Sequence, residues 1–185
     1  NGVDISFFKP ILKNKSNNLR IISTGRLIER KGYKYLIESL KALKNYELTL
    51  VGDGNIRPEL ESVAKTNNVN IKFLGERNKD EILNLLQQSD LFILPSLNEG
   101  MSNSLLEAMA CGLPIITTDT GGSKELIKGN GFIVEKENSD SIKKAIIKYQ
   151  NTPSFLNSHS IKSRQLAEKM SWAKVAESYM EIYKK

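Results

Sequence analysis

One stretch decides the fold, Leu91–Thr118, with the sequence LFILPSLNEGMSNSLLEAMACGLPIITT. It begins with the apolar run Leu91–Leu94 and ends with a second one, Ile115–Thr118, and both have the composition of strands buried on two faces. Between them, the apolar residues of 105–109 follow the spacing of one helix face, and the glycine and proline of 112–114 end that helix. The stretch therefore predicts a strand, a helix and a second strand.

The same alternation continues on both sides of this stretch. Further apolar runs of strand type occupy Leu19–Ser23, Glu47–Val51, Asn70–Leu74 and Phe132–Val134. Apolar residues with helical spacing separate them at 36–43 and 82–86, and follow them at 142–149. Strands that alternate with helices are typical of a parallel sheet covered by helices. We predict an α/β fold, a Rossmann-like parallel sheet of about six strands flanked by helices, with a helical C-terminal tail.

Length and pattern divide the 185 residues into one domain and a tail. We predict a linker and domain start at 1–18, a Rossmann-like domain at 19–152, and C-terminal helices at 153–185. The apolar stripe that predicts these helices comprises Trp172, Val175, Ala176, Tyr179 and Ile182. The first residues include neither an initiator Met nor a signal peptide, so we expect the chain to come from a longer one.

Composition excludes several kinds of protein and site. No apolar run approaches the roughly 20 residues of a membrane-spanning helix. A single cysteine, Cys111, and a single histidine, His159, exclude an internal disulfide and a cysteine- or histidine-rich metal site. We expect Cys111 to be a buried packing residue and His159 to lie outside the functional loops. Because nothing here requires oxidation, we expect a reduced, cytoplasmic setting.

The charge balance favours an anionic partner. The chain has 27 Lys and Arg against 21 Asp and Glu, which gives a net charge of +6. Such an excess suits a phosphate, a nucleotide, a nucleic acid or an acidic membrane surface, although most lysines of any protein are simply solvated. The sequence has no arginine-rich tract and no array of aromatic residues, so we do not expect nucleic-acid binding.

Loops that follow the strands lie at the carboxyl edge of a parallel sheet, where ligands bind. After the first strand, Arg26 and Lys31 supply two cations that suit a diphosphate, or else form a solvated basic turn. After the second strand, Gly52 and Gly54 permit either a close backbone approach to a ligand or a plain turn. Arg57 stands in place of the third glycine of G-x-G-x-x-G, so this loop is not a dinucleotide fingerprint.

The loop after the strand Leu91–Leu94 contains the most candidate groups. Gly100, Met101 and Ser102 lead into a helix whose first N–H groups suit an anion, unless Ser102 or Asn103 is simply the helix cap. Glu99 and Glu107 are separated by roughly 12 Å if the segment is helical, which exceeds the separation of about 5–9.5 Å between paired glycosidase carboxylates. Their carboxylates suit sugar or ribose hydroxyls, and Glu107 is otherwise an ordinary helix glutamate.

Five segments occur in a characteristic order. They are Gly25-Arg26 through Lys31-Gly32, Val51-Gly52-Asp53-Gly54, Phe73-Leu74-Gly75, Glu99 through Glu107, and Ala110-Cys111-Gly112-Leu113-Pro114-Ile115-Ile116. This series resembles the nucleotide-sugar-binding half of GT-B glycosyltransferases, specifically the retaining group 1 enzymes of family four. The first four residues with Phe8 are similar to the segment that joins the two halves, and Ser171-Trp172 with the closing helix are similar to the family's C-terminal helix. The resemblance therefore covers essentially the whole chain.

The resemblance implies a role for each matching residue. Arg26 and Lys31 correspond to the catalytic cations that hold the donor diphosphate, and Glu99 corresponds to the carboxylate at the donor sugar. Glu107 corresponds to the glutamate that accepts hydrogen bonds from the ribose. The other implied donor-binding residues are Gly25, Gly52, Gly54, Gly75, Arg77, Gly100, Met101, Ser102, Leu105 and Leu106. Among these, Arg77 belongs to the stretch that meets the base.

The resemblance also implies an activity and its partners. The parent protein would transfer a sugar from a UDP- or GDP-linked donor to a glycan, a lipid or a small acceptor, without a metal or other cofactor. The 185 residues do not include the N-terminal acceptor-binding half that the family has. We therefore expect the isolated chain to bind the donor without efficient transfer. The basic surface is compatible with peripheral contact between the parent and the inner face of a membrane. A monomer is the default expectation.

Other functions are compatible with parts of the pattern. A non-catalytic nucleotide or sugar-nucleotide binding module would retain the same cations and carboxylates, and activity of the parent would separate it from an enzyme. A dinucleotide-dependent oxidoreductase is disfavoured by the interrupted glycine pattern, and a sugar-nucleotide epimerase is disfavoured by the single histidine. The sheet alone would not decide among these functions.

Overall fold

The computed structural model describes residues 1–14 and 16–183, apart from the side chains of Ser178, Tyr179 and 181–183. Its sheet has six strands: β1 (Leu19–Thr24), β2 (Tyr46–Val51), β3 (Ile71–Phe73), β4 (Leu91–Leu94), β5 (Ile115–Thr118) and β6 (Gly131–Val134). Their order is β3-β2-β1-β4-β5-β6, and all neighbouring strands are parallel. The predicted α/β class and the six parallel strands are confirmed.

Helices connect and follow the strands. They are α1 (Tyr33–Ser39), α2 (Arg57–Thr66), α3 (Lys79–Gln88), α4 (Asn103–Ala110), α5 (Gly122–Leu126), α6 (Ser139–Asn151), α7 (Ser154–Lys169) and α8 (Trp172–Tyr183), with a 3₁₀ turn at Glu29–Lys31 before α1. The predicted C-terminal helical tail thus forms two helices. Among the residues that the structure describes, no helix is long and apolar enough to cross a bilayer.

The sheet is covered on both faces because its strands are apolar on both faces. Along β4, Leu91 and Ile93 pack with α1, α2 and α6 on one face of the sheet. Phe92 and Leu94 pack with α3, α4 and α7 on the other face. All four side chains are fully buried. Since successive side chains of a strand point to opposite faces, one apolar run contributes to two separate core clusters.

The sequence pattern did not indicate helix α2. Its sequence, RPELESVAKT, has only Leu60 and Ala64 as buried residues, which is too few for a visible apolar stripe. The helix instead has polar interactions at its start, where the Arg57 guanidinium pairs with Asp53 at 3.3 Å and with Glu61 at 2.8 Å. Local ion pairs and tertiary packing therefore outweigh a weak periodicity here.

The N-terminal segment pairs with the turn between α7 and α8. The Val3 N–H donates to the Met170 carbonyl at 3.0 Å, and the Trp172 N–H donates to the Val3 carbonyl at 3.3 Å. Val3 and Ser171 thereby form an isolated parallel bridge. Helix α7 packs against α4. Of the predicted stripe on α8, Trp172 is 57% exposed, whereas Tyr179 and Ile182 have side chains outside the described residues, as do residues 184–185.

Candidate functional site

A cleft of about 330 Å³ opens at the carboxyl ends of β1 and β2. Its walls come from the loops after β1, β2 and β3 and from α3 and α4. The lining residues are Thr24, Gly25, Arg26, Val51, Gly52, Asp53, Glu76, Arg77, Ile82, Ser104 and Glu107. β1 lies beside β4 in the sheet, so the strand order reverses there. Ligands of open α/β sheets bind at such a reversal, which makes this cleft the candidate site.

Two glycines of the second loop allow close packing between backbones. A Cβ added to Gly52 would lie 2.1 Å from the Gly25 carbonyl oxygen, and one added to Gly54 would lie 2.1 Å from the Leu27 carbonyl oxygen. Gly52 also donates its N–H to the Gly75 carbonyl at 2.8 Å. These glycines therefore hold the loops after β1, β2 and β3 together, and Gly52 lines the cleft while Gly54 does not.

The two predicted cations differ in their surroundings. Arg26 is exposed at the rim of the cleft, and its guanidinium has no ion-pair partner among residues 1–14 and 16–183. Lys31 is buried, with 8% of the residue exposed, and its ammonium forms an ion pair with the Glu99 carboxylate. The Ser96 hydroxyl donates to the same carboxylate at 3.4 Å. Thus Arg26 is free to meet an anion, whereas Lys31 already has a partner.

Three buried hydroxyls lie next to this pair. Ser23, Thr24 and Tyr33 are at most 4% exposed, and none of their hydroxyl oxygens has a hydrogen-bond partner in the described part of the chain. Burial raises the pKa of the Tyr33 phenol well above its ordinary value, the adjacent Ser23 hydroxyl opposes part of that rise, and the negative charge of Glu99 adds to it. The Tyr33 hydroxyl therefore stays neutral and able to donate a hydrogen bond.

Glu107 brings a partly desolvated carboxylate into the cleft from α4. Burial raises the pKa of this carboxyl above its ordinary value, and the nearby Lys79 ammonium opposes part of the rise. The Lys79 ammonium lies 4.4 Å from the ring centroid of Phe7 and 5.5 Å from that of Phe8. The arrangement places an acceptor for ligand hydroxyls beside the N-terminal segment.

The start of α4 lies beside the cleft. Ser102 is the N-cap residue, but its side chain does not cap the helix. Its hydroxyl lies 2.9 Å from the Ser104 hydroxyl instead. The Asn1 amide donates to the Met101 carbonyl at 2.7 Å, while Gly100 has open space around it. Ser102 thus occupies the cap position that one interpretation gave it, without a capping hydrogen bond from its side chain.

Only some of the site residues predicted from the sequence line the cleft. It is lined by Gly25, Arg26, Gly52, Arg77 and Glu107. Lys31 and Glu99 do not line it, although a Cβ added to Gly25 would be 3.7 Å from the Lys31 ammonium, which pairs with Glu99. The other predicted residues, which do not line the cleft, are Gly54, Gly75, Gly100, Met101, Ser102, Leu105 and Leu106. The side chains of Leu105 and Leu106 are fully buried in the core.

Some lining residues were not predicted from the sequence. Thr24 is the last residue of β1, and its position at the carboxyl end of a strand was the available signal. Ser104 lies on α4 within the segment Glu99 through Glu107, and Ile82 lies on α3, but neither was singled out as a binding residue. Only the folded arrangement brings these two helices to the same cleft.

The single histidine of the sequence does not line this cleft. His159 lies on α7, where its Nδ1 is 2.8 Å from the Tyr149 hydroxyl and its ring stacks on Phe155. Within the described ranges, no three His, Cys, Asp or Glu side chains lie close enough together to hold a metal ion.

The chain is similar to known sugar-transferring proteins. Residues 4–169 match the family model described as glycosyl transferases group 1. UDP-Gal:alpha-D-GlcNAc-diphosphoundecaprenol alpha-1,3-galactosyltransferase of Escherichia coli is 35% identical over 170 residues, which cover 80% of this chain and 43% of that protein. GDP-mannose-dependent monoacylated alpha-(1-6)-phosphatidylinositol monomannoside mannosyltransferase of Corynebacterium glutamicum is 29% identical over 175 residues, covering 82% of this chain and 46% of that protein.

A solved structure shares the fold. Anabaena HepE in complex with UDP and glucose matches with a TM-score of 0.87 and 23% identity, over 100% of this chain and 55% of that one. The chain also spans about half the length of the curated relatives it matches. Its sheet and helices are therefore one Rossmann-like half of the GT-B architecture. Because the family model matches most of its residues, the chain belongs to the group 1 glycosyl transferases.

Proposed function

We propose that this chain is the donor-binding half of a retaining hexosyltransferase that uses a UDP- or GDP-linked sugar. The observation that carries the proposal is the cleft itself, which presents an unpaired guanidinium, Arg26, and a partly buried carboxylate, Glu107, at the point where the strand order reverses. A nucleoside diphosphate carries the complementary groups, since its phosphates are anionic and its ribose hydroxyls donate hydrogen bonds.

In this proposal, Arg26 and Lys31 hold the diphosphate and stabilise the charge that develops on the leaving phosphate. Fixed cations aimed at developing charge are a large catalytic contribution. Glu99 faces the donor sugar and Glu107 the ribose, while Arg77 lies near the base. No enzyme nucleophile is assigned, and the acceptor approaches the face that the phosphate leaves. No metal is assigned a role.

The donor class is supported by the names of two relatives. The Escherichia coli protein is named for UDP-Gal, and the Corynebacterium glutamicum protein is named as GDP-mannose-dependent. We assign a UDP- or GDP-linked hexose to the parent of this chain. Its acceptor would be a glycan, a lipid or a small molecule, held by an N-terminal half that completes the site on closure.

Further properties of the parent belong to the same proposal. The isolated chain binds the donor as a monomer but transfers sugar inefficiently. The parent works on the cytoplasmic side, with peripheral contact to the inner face of a membrane through its basic surface. Sugar transfer by the isolated chain would contradict the assignment of acceptor binding to another half. A parent that binds the donor without any transfer would identify a binding module instead of an enzyme.

The first experiment is calorimetry with UDP, GDP, ADP and NAD, accompanied by thermal unfolding. A ligand at 100 times its dissociation constant adds about 2.7 kcal/mol of stability. For a chain of this size, that shifts the melting temperature by roughly 5–10 °C. We expect one nucleoside diphosphate to bind.

The matched variants are Arg26→Ala in the cleft and Lys34→Ala on the exposed part of α1. Arg26→Ala should weaken nucleotide binding about tenfold or more, because a charge-assisted hydrogen bond is lost. It should leave the unliganded melting temperature unchanged, since this guanidinium has no ion-pair partner in the described structure. Lys34→Ala should change neither quantity. Equal binding by both variants would contradict the proposal.

A further inference from the structure

The Tyr33 phenol is a buried hydroxyl that lies beside the Ser23 hydroxyl and forms no well-aligned hydrogen bond. Tyr33 lies at the first position of α1 with 1% of its surface exposed. In residues 1–14 and 16–183, its oxygen has no hydrogen-bond partner. An unpaired buried hydroxyl opposes folding, and native proteins contain few of them. Such a group therefore calls for a reason beyond stability.

The position of this hydroxyl suggests that reason. A Cβ added to Gly25 would lie 2.9 Å from the Tyr33 oxygen and 3.7 Å from the Lys31 ammonium. Both atoms therefore lie on the same side of Gly25, which itself lines the cleft. Lys31 in turn pairs with the Glu99 carboxylate. Because Gly25 has no side chain, the Tyr33 hydroxyl can lie close to its backbone, beside the ion pair.

The ion pair cannot keep its present form when a diphosphate is bound. Under the proposed function, on which this inference rests, the phosphates attract the Lys31 ammonium. The Glu99 carboxylate would then lose its cation, although only 14% of its side chain is exposed. Leaving a buried carboxylate without its cation is costly unless a hydrogen-bond donor satisfies it. The Ser96 hydroxyl, at 3.4 Å, is a weak donor at that distance.

We propose that Tyr33 is a positioning residue that replaces Lys31 as the partner of Glu99 in the donor-bound state. Its hydroxyl donates to the carboxylate when the diphosphate draws the Lys31 ammonium away. The bond satisfies the Glu99 carboxylate and keeps it aimed at the hydroxyls of the donor sugar. Tyr33 thereby affects the affinity for the sugar but not the affinity for the diphosphate.

The test is Tyr33→Phe, which removes only the oxygen atom. The measured quantity is the dissociation constant for the nucleoside diphosphate divided by that for its sugar nucleotide. Calorimetry with UDP, UDP-glucose and UDP-galactose, or with GDP and GDP-mannose, supplies both constants. We expect this ratio to fall about tenfold or more in the variant, because a hydrogen bond to a charged group is lost. The constant for the diphosphate alone should change by less than about twofold.

A second measurement separates positioning from a structural role. Tyr33→Phe should leave the unliganded melting temperature unchanged or raise it, since the lost hydroxyl has no partner. The matched control is Tyr46→Phe at the start of β2, whose buried hydroxyl accepts from the Asn70 N–H at 3.3 Å. That control should lower the melting temperature slightly and leave the affinity ratio unchanged.

The outcomes distinguish this inference from the function on which it rests. If the natural chain binds the sugar nucleotide and Tyr33→Phe has the same affinity ratio, the inference is wrong and the proposed function stands. If the natural chain binds no nucleoside diphosphate, both are overturned. A fall in the ratio for Tyr46→Phe as large as that for Tyr33→Phe would also overturn the inference, because the effect would then not be specific to the cleft.

Discussion

Arg26 and Lys31 belong to the same loop and carry the same charge, yet the fold uses them differently. Arg26 is exposed and has no ion-pair partner in the described structure, so its loss removes little from the folded state. Lys31 is buried against Glu99, and removing either partner leaves the other as an uncompensated charge. Stability and ligand binding are therefore separable at Arg26 and linked at Lys31.

This difference predicts the outcome of a double-mutant cycle. Lys31→Ala should destabilise the fold by about 3 kcal/mol, because it leaves the Glu99 carboxylate buried without a cation. Adding Glu99→Gln should restore part of that loss, since the remaining side chain is neutral. Urea unfolding of the two single variants and the double variant supplies the coupling free energy. Additive effects would show that the pair does not interact.

Replacing Glu107 should change stability and nucleotide binding in opposite directions. Because burial raises the pKa of its carboxyl, the folded state favours the protonated form. The stability from this group is present below the unfolded pKa and is lost as the pH rises through the folded pKa. Glu107→Gln should therefore raise the melting temperature at pH 7 and weaken nucleotide binding about tenfold or more. The gain should vanish at pH 4, and an equal gain at both values would contradict the burial argument.

At the scale of elements, one arginine joins three segments. Arg164 on α7 donates to the Phe8 and Ala110 carbonyls at 2.9 Å and to the Ile5 carbonyl at 3.2 Å. It thereby connects the N-terminal segment, the end of α4 and α7, and its positive charge suits the carbonyl end of α4. The packing of α7 on the domain therefore depends on specific polar contacts as well as on apolar area.

Replacing this arginine tests the connection. Arg164→Met keeps most of the stem but leaves partly buried carbonyls unpaired, so we expect a loss of about 2–3 kcal/mol in urea unfolding. The control is Glu168→Gln, which breaks only the ion pair between Arg164 and Glu168 on the helix surface. That change should cost less than about 0.5 kcal/mol. Equal losses of stability in the two variants would show that Arg164 acts through its ion pair with Glu168 and not through the carbonyls.

Elements with strong apolar patterns could be predicted, and those with weak ones could not. The apolar runs predicted all six strands to within one residue at each end, because each run is dominated by apolar residues. Helix α2, with two buried residues, gave no comparable pattern. In the site, motif residues were identified along the chain, but the pairing of Lys31 with Glu99 spans 68 positions and depends on the fold.

At the scale of the whole molecule, the two core clusters lie on opposite faces of one sheet and share its strands. Cys111 is fully buried in the cluster that includes α4 and α7. Burial raises the pKa of its thiol to about 12, so very little thiolate exists at neutral pH. The thiol becomes reactive only when the surrounding structure opens, which makes it a reporter of global stability.

Alkylation of Cys111 should therefore follow unfolding. With iodoacetamide at pH 8, we expect slow labelling that accelerates through the urea transition. A nucleoside diphosphate at 100 times its dissociation constant should slow labelling about 100-fold, in line with the added stability. Mass spectrometry of quenched samples supplies the rates. Fast labelling without urea would show that the helices leave their positions independently of the sheet.

The bridge between Val3 and Ser171 has a consequence for protein engineering. Because Val3 and Ser171 are paired, the two ends of the segment 3–171 lie within the roughly 5 Å that separates paired strands. A segment with adjacent ends can be inserted at one loop tip of a host without forcing the host's own ends apart. Residues 3–171, placed at such a loop tip, would therefore carry the candidate cleft into a fluorescent host with little strain on that host.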